Sequence, residues 1–312
     1  MHRHPHFDLW LHDDDELRPW LGSEVHRREM VHEWPLSCVQ RLYLADGSTR
    51  IYKAQAPPTV EPEFYAHAAG SLLVPAQAIA QPHGPAALLL ADIAAPRLCN
   101  LSLSPADLAA VGWATVTQIG TLAGALPVVA DLSTAAKWQD YAETMVAELA
   151  ALVDSGVFVQ VDRALVEQIA ALAASPAVVG AFAPPVGYVH GDLTGTNLFV
   201  GGEGYRLIDW QRPIRGPVAL DVVALLDSAR CDPGRYVAAG IVQLFYLLRM
   251  AWFTQCALRW FPPGGATYDG AIVQLVAKVA ALGDGEGKGM LQDGGSFRGS
   301  VRQQVGPATT GR

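Results

Sequence analysis

The chain has 312 residues, 51% of them apolar, and a formal net charge of −8. That length suits two lobes or two small domains, and the apolar content excludes a globally disordered chain. The acidic balance argues against nucleic acid or an anionic membrane surface as the main partner, and it is compatible with a cationic small substrate.

Residues 1–23 read as an N-terminal extension. His2, His4, His6 and His12 beside Asp13-Asp14-Asp15-Glu16 suggest a metal site at first sight, but a solvated, poorly ordered terminus is the expectation. The segment lacks the basic-then-apolar order of a signal peptide.

Three strands are expected over residues 24–55. The polar and apolar stretch Glu24–Glu33 comes first, then Cys38–Leu44 with period-two alternation. Asp46-Gly47 turns the chain into Thr49–Ala54. Pro57-Pro58 breaks the pattern, and a helix then starts at Thr59 or Val60 and runs to Gly70, with Pro62 tolerated in its first turn. The apolar run Ala86–Ala91 is a further strand ending at Asp92-Ile93, and Pro96 marks the boundary to a helical half.

Helical spacing recurs in Ala106–Leu122, Tyr141–Val153 and Arg163–Ala174. A strand at Gly187–Val189 and a hairpin, Asn197–Val200 with Tyr205–Ile208, interrupt the helices. These resume at Val218–Ala229, Pro233–Phe253 and Gly270–Leu282. The apolar stretch Val237–Leu248 is short and holds Gln243, so it reads as a buried helix rather than a membrane span. Residues 284–312, rich in Gly, Gln and Ser, read as a disordered tail. The four cysteines are far apart and form no C-x-x-C pair, so reduced thiols are expected. The whole reads as a cytoplasmic protein with no nucleic-acid or membrane partner; its oligomeric state is not legible.

The chemistry is carried by His190-Gly191-Asp192 through Asn197, in the form H-x-D-x-x-x-x-N, and by Leu207-Ile208-Asp209-Trp210 twelve residues later. This is the arrangement of a kinase catalytic loop and its downstream metal-binding aspartate. A phosphoryl donor carries several negative charges, so a divalent metal must neutralise them while an acceptor hydroxyl is held in line. Asn197 and Asp209 offer oxygen ligands suited to Mg²⁺, and Asp192 can accept the hydroxyl proton. The combination should arise by chance in on the order of 1 in 10,000 chains, so a loop of mere helix-capping aspartates is set aside.

HGDLTGTNLF followed by LIDWQ resembles the aminoglycoside phosphotransferase and choline kinase-like superfamily. Gly191 after the histidine, and Trp210 where protein kinases carry Phe-Gly, fit this small-molecule branch. The resemblance covers about residues 24–282. It implies an α+β, two-lobed protein kinase-like fold, with a small antiparallel-sheet N-lobe at 24–94 and a larger, mainly helical C-lobe at 95–283. It also implies ATP and Mg²⁺ as cofactors and a small-molecule hydroxyl as acceptor, with His190 and Asp192 as the catalytic pair of the loop.

Gly216 through Asp221 resembles the family's G-x-x-x-x-D helix start, which makes Asp221 a brace for the catalytic loop. Lys53, in the third strand, is the implied ligand of the donor phosphates. In Glu61-Pro62-Glu63-Phe64-Tyr65, similar to the family's E-x-x-F-Y, spacing favours Glu61 as its partner, while Pro62 leaves Glu63 as a rival. Leu88–Ile93 resembles the adenine hinge, with Asp92 at its end. The loop His32–Cys38, which should cover the nucleotide, has no glycine and contains Pro35, leaving Ser37 to offer a hydroxyl and an N–H. A nucleotide-binding regulator with little catalysis is the alternative this loop allows. The aromatic group Phe245, Tyr246, Trp252, Phe253, Trp260, Phe261 and Tyr268 is expected to be mostly core rather than a cage for an ammonium group.

Overall fold

Leu9, Leu11 and Leu17 draw the first residues of the chain onto the rest of the protein, which a computed structural model describes over residues 1–283. The tail expected at 284–312 lies outside the described residues. Residues 1–23 are folded, contrary to the expectation of a poorly ordered terminus. Strands β1 (His2–Arg3) and β2 (Trp10–Leu11) pair antiparallel, and helix α1 (Asp14–Leu21) follows. The Asp13 N–H donates to Glu16 Oε2 at 2.8 Å, and Gly22 closes the helix in the left-handed region.

Two polar clips hold the segment down. The His12 N–H donates to the Tyr52 hydroxyl at 3.0 Å, and Arg28 donates to the His12 carbonyl at 2.9 Å and to Asp14 at 2.7 Å. The histidines serve structure: His4 Nδ1 accepts the His6 and Phe7 N–H groups, and His12 meets Tyr52.

The sheet beneath comprises β3 (Val25–Trp34), β4 (Ser37–Leu44) and β5 (Thr49–Gln55). After helix α2 (Glu61–His67) come β6 (Ala76–Ile79) and β7 (Ala87–Ala91). The order is β3-β4-β5-β7-β6 and every pairing is antiparallel. Alternation sorts the side chains onto two faces. Leu42, Tyr52, Ala54, Ala87 and Leu89 pack with Leu9, Leu11 and Leu17, whereas Leu88 and Leu90 pack with Val74 on the opposite side. Both faces are therefore covered. The unforeseen β6 reads Ala-Gln-Ala-Ile, with few good strand formers, and is an edge strand defined by β7 alone.

The C-lobe begins with α3 (Pro105–Ile119), β8 (Ala130–Asp131), α4 (Ala135–Asp154), α5 (Arg163–Ala173) and α6 (Pro176–Gly180). Side-chain oxygens of Ser104, Thr134, Asp162 and Ser175 cap these four helices. Strand β9 (Val186–Val189), the hairpin β10 (Leu198–Gly201)–β11 (Gly204–Leu207) and β12 (Ile214–Pro217) follow. The unforeseen β12 contains Gly216 and Pro217, which mask a strand in sequence; it pairs antiparallel with β9 and parallel with β8.

Helices α7 (Leu220–Ser228), α8 (Ala239–Gln255) and α9 (Gly265–Gly283) complete the lobe, with a π-helical turn at Cys256–Trp260 after α8. The stretch Ala239–Trp260 is long and apolar enough to cross a membrane, but Val242, Leu244, Leu247 and Met250 are buried in the C-lobe core.

Asp269 of α9 is fully buried and accepts the N–H groups of Val159, Gln160 and Val161 at 2.8, 2.8 and 2.9 Å. Asp269→Ala would strand three buried donors, so it should cost about 3 kcal/mol or more, read as a lower midpoint in urea unfolding.

Candidate active site

The turn at Gly191 begins the site. Its φ is +84°, and a Cβ there would stand 2.7 Å from the Arg212 carbonyl oxygen, so only glycine fits. The fully buried Asp221, at the start of α7, accepts the His190 N–H at 2.8 Å and the Gly191 N–H at 3.0 Å. Burial pushes its carboxyl up to about 7, against the two N–H groups that favour the carboxylate. The structure thus places Asp221 against the turn of the loop.

His190, grouped with Asp192 as catalytic from the motif, has its ring turned onto backbone atoms. Its Nε2 donates to the Ile208 carbonyl at 3.0 Å, and its Nδ1 accepts the Asp192 N–H at 3.2 Å. Both ring nitrogens are spent on backbone. Burial lowers the imidazole pKa to about 4, so the ring is neutral and ties the Asp192 turn to the Asp209 strand end.

Asp192 itself is half-buried, and its carboxylate has no hydrogen-bond partner among the described residues. Burial, and then the nearby Asp209, raise its pKa. The Asn197 amide donates to the Asp192 carbonyl at 3.0 Å, leaving Asn197 Oδ1 without a partner among the described residues.

Lys53 of β5 is buried, and its Nζ lies 2.5 Å from Glu61 Oε2 and 2.5 Å from Asp209 Oδ1. Desolvation alone would lower its pKa, but the two carboxylates outweigh it and hold the ammonium charged. Glu61 is the partner and Glu63 is exposed, so the register left open by Pro62 is settled. The other Glu61 oxygen accepts the Trp210 N–H at 3.0 Å. Asp209 has φ +73°, a conformation aspartate tolerates better than most residues. Burial pushes its pKa up, but Lys53 wins and holds it below the usual range. Its side chain keeps 30% exposure against 1% for Glu61, so Asp209 is the carboxylate open to a ligand.

The donor set fits Mg²⁺: Asn197 Oδ1 and the Asp209 carboxylate offer hard oxygen atoms on either end of β10–β11, of the kind Mg²⁺ prefers. No cluster of three His, Cys, Asp or Glu exists among the described residues, as a zinc-type site would need.

Two predicted cofactor-binding residues have side chains engaged by protein. The Ser37 hydroxyl is buried and accepts the Trp34 indole N–H at 2.7 Å, across the tight Pro35-Leu36 turn. The Asp92 carboxylate accepts Arg41 Nε at 2.7 Å and fastens the hinge to β4. Each side chain thus already satisfies a neighbouring donor.

Beside Asp192 a cavity of about 280 Å³ opens between β8, β12, α4 and α8. Tyr141, Phe245, Trp252 and Trp260 form much of its wall, so part of the aromatic group is a lining rather than core. Tyr246, by contrast, is buried, and Phe253 stacks on Tyr268. Arg212 and Arg249 also line the cavity. Sequence reading passed over both arginines; the signal for Arg212 was its place two residues after the Asp209-Trp210 pair.

A sequence comparison with curated proteins finds no match. Among solved structures, a choline/ethanolamine kinase family protein from Mesorhizobium loti superposes with a TM-score of 0.59 at 14% identity, over 88% of this chain and 94% of that one. Spectinomycin phosphotransferase APH(9)-Ia, in complex with ADP and spectinomycin, gives 0.55 at 12% identity, over 87% and 99%. A thermostable mutant of aminoglycoside phosphotransferase APH(4)-Ia, in a ternary complex with AMP-PNP and hygromycin B, gives 0.56 at 13% identity, over 88% and 99%. The likeness in each case is one of fold, a protein kinase-like arrangement of antiparallel sheet and helices. In sequence, residues 41–253 match the phosphotransferase enzyme family (APH), a span that holds Lys53, the catalytic loop, Asp209 and Asp221; the chain belongs to that family of enzymes.

Proposed function

We propose that this phosphotransferase moves the γ-phosphoryl group of ATP to a hydroxyl of a small molecule. The observation that carries the reading is the meeting of Lys53, Glu61 and Asp209 within 2.5 Å contacts, next to a catalytic loop that presents a free Asp192 carboxylate. Lys53, fixed by Glu61, orients the donor phosphates. Asn197 and Asp209 are the residues that would hold Mg²⁺, which when bound neutralises phosphate charge. Asp192 holds the acceptor hydroxyl in line and takes its proton. Its raised pKa makes it a better proton acceptor than an ordinary carboxylate. The relatives of the same fold that bind ADP or AMP-PNP beside an acceptor are in keeping with this reading.

The Pro35-Leu36 turn favours a second reading, a nucleotide-binding regulator, because proline removes one backbone N–H from the strip that would grip phosphate. A Mg²⁺-dependent ATP-consumption assay against amino alcohols, sugars, aminoglycosides and hydroxy acids separates the two. Acceptor-stimulated consumption is the expected result. Nucleotide binding with no acceptor-dependent turnover anywhere in the panel would favour the regulator.

A further inference from the structure

The cavity beside Asp192 carries a charge pattern opposite to that of the whole chain. Among the described residues, Asp192 is the one carboxylate in its lining, while Arg212 and Arg249 face it with two guanidinium groups. Neither arginine has a carboxylate within ion-pairing distance or a hydrogen-bond acceptor among the described residues. Arg212 instead sits over the Trp252 ring, its Cζ 3.4 Å from the centroid, and Arg249 lies 5.6 and 5.9 Å from the centroids of Phe253 and Phe245. Stacking of this kind holds a guanidinium in place with its N–H edges free for a ligand. Trp260 adds its ring to the same lining. The polar groups left over in this cavity are thus mostly donors, set in an aromatic and aliphatic wall.

We propose that the phosphoryl acceptor is a monoanionic hydroxy acid on an apolar or aromatic frame, with its carboxylate held by Arg212 and Arg249 and its hydroxyl at Asp192. This deepens the phosphotransferase reading and rests on it. The charge count selects one negative charge: Asp192 and a carboxylate together balance the two guanidiniums, whereas a cationic amino alcohol would leave the cavity with an excess of two positive charges. Arg–carboxylate pairing also supplies the two-point geometry that orients a small acceptor.

Three compounds on one frame test the charge: 3-phenyllactate, its neutral amide and the cationic alcohol phenylalaninol. By calorimetry 3-phenyllactate should bind at least about tenfold more tightly than either of the others, the gain typical of a charge-assisted, bidentate contact. Arg249→Met, at an exposed position that leaves the fold intact, should remove most of that preference while leaving the amide's affinity unchanged; Arg212→Met should do the same. Equal or tighter binding of phenylalaninol overturns the proposal, as does a preference for 3-phenyllactate that survives both arginine variants. These are binding readouts, so they stand apart from ATP consumption. Turnover of phenylalaninol but not of 3-phenyllactate would sink the hydroxy-acid assignment and leave the phosphotransferase reading in place.

Discussion

Asparagine in place of Asp192 should lower kcat by about 10²–10⁴-fold, the usual worth of a general base, with ATP affinity left nearly unchanged. Nothing structural hangs on the carboxylate: it has no hydrogen-bond partner among the described residues, and the loop contacts of Asp192 run through its N–H and carbonyl. The substitution keeps the shape and removes only the base. In the wild type, the acid limb of kcat/KM should follow the same group. The base works ionised, and burial with Asp209 nearby raises its pKa, so activity should begin to fall at a higher pH than an ordinary carboxylate of about 4 would dictate. Stopped-flow or coupled assays across pH would read both effects. Undiminished turnover in the asparagine variant would remove Asp192 from the role of base.

Asp209→Ala should weaken Mg²⁺-dependent ATP binding by at least about 10–100-fold, since even outer-shell metal partners are worth that much. Lys53 would keep Glu61, so its charge stays paired and the N-lobe should hold together. The positive φ at this position adds a confounding cost for alanine, on the order of 1–2 kcal/mol. Asp209→Asn removes that ambiguity, because asparagine accepts the left-handed conformation while lacking the charge. Titration calorimetry with ATP, with and without Mg²⁺, distinguishes the outcomes. Metal-dependent binding that survives in both variants would show that Asp209 is not the metal ligand.

The catalytic loop is legible in the sequence because each of its residues has a separate physical duty: glycine for a positive φ, aspartates for charge, asparagine for an oriented amide. Lys53 and Glu61 follow once a fold is assumed, though Pro62 hid the helix register until burial separated Glu61 from Glu63. Other features lie beyond a one-dimensional reading. The role of His190 depends on which atoms meet its two nitrogens, and a motif does not record them. Ser37 and Asp92 look available in sequence because their partners, Trp34 and Arg41, are recognisable only after the strands pair. The fold of residues 1–23 had a faint signal. The run Ala86–Ala91 is apolar at successive positions, so both faces of that strand needed cover. Helix α2 serves one side, and the spacing of Leu9, Leu11 and Leu17 could have supplied the other. The arginines of the cavity were hidden differently, since Arg249 comes 37 positions after Arg212 in the chain.

The short stretch Asp209–Gln211 touches the N-terminal lobe at every residue. Asp209 meets Lys53, the Trp210 N–H meets Glu61 while its ring stacks on Phe64 at 4.4 Å, and the Gln211 carbonyl accepts the Val60 N–H at 3.0 Å. The consequence is mechanical. The Gln211 side-chain amide also donates to Gln55 at 3.3 Å, so a swing that prises the lobes apart along the back of the cleft must break an ion pair, an aromatic stack and three hydrogen bonds together. Opening of the cleft is therefore expected first at its mouth, with the Trp210 and Gln211 attachments to the N-terminal lobe kept when Lys53 and Asp209 turn to a ligand.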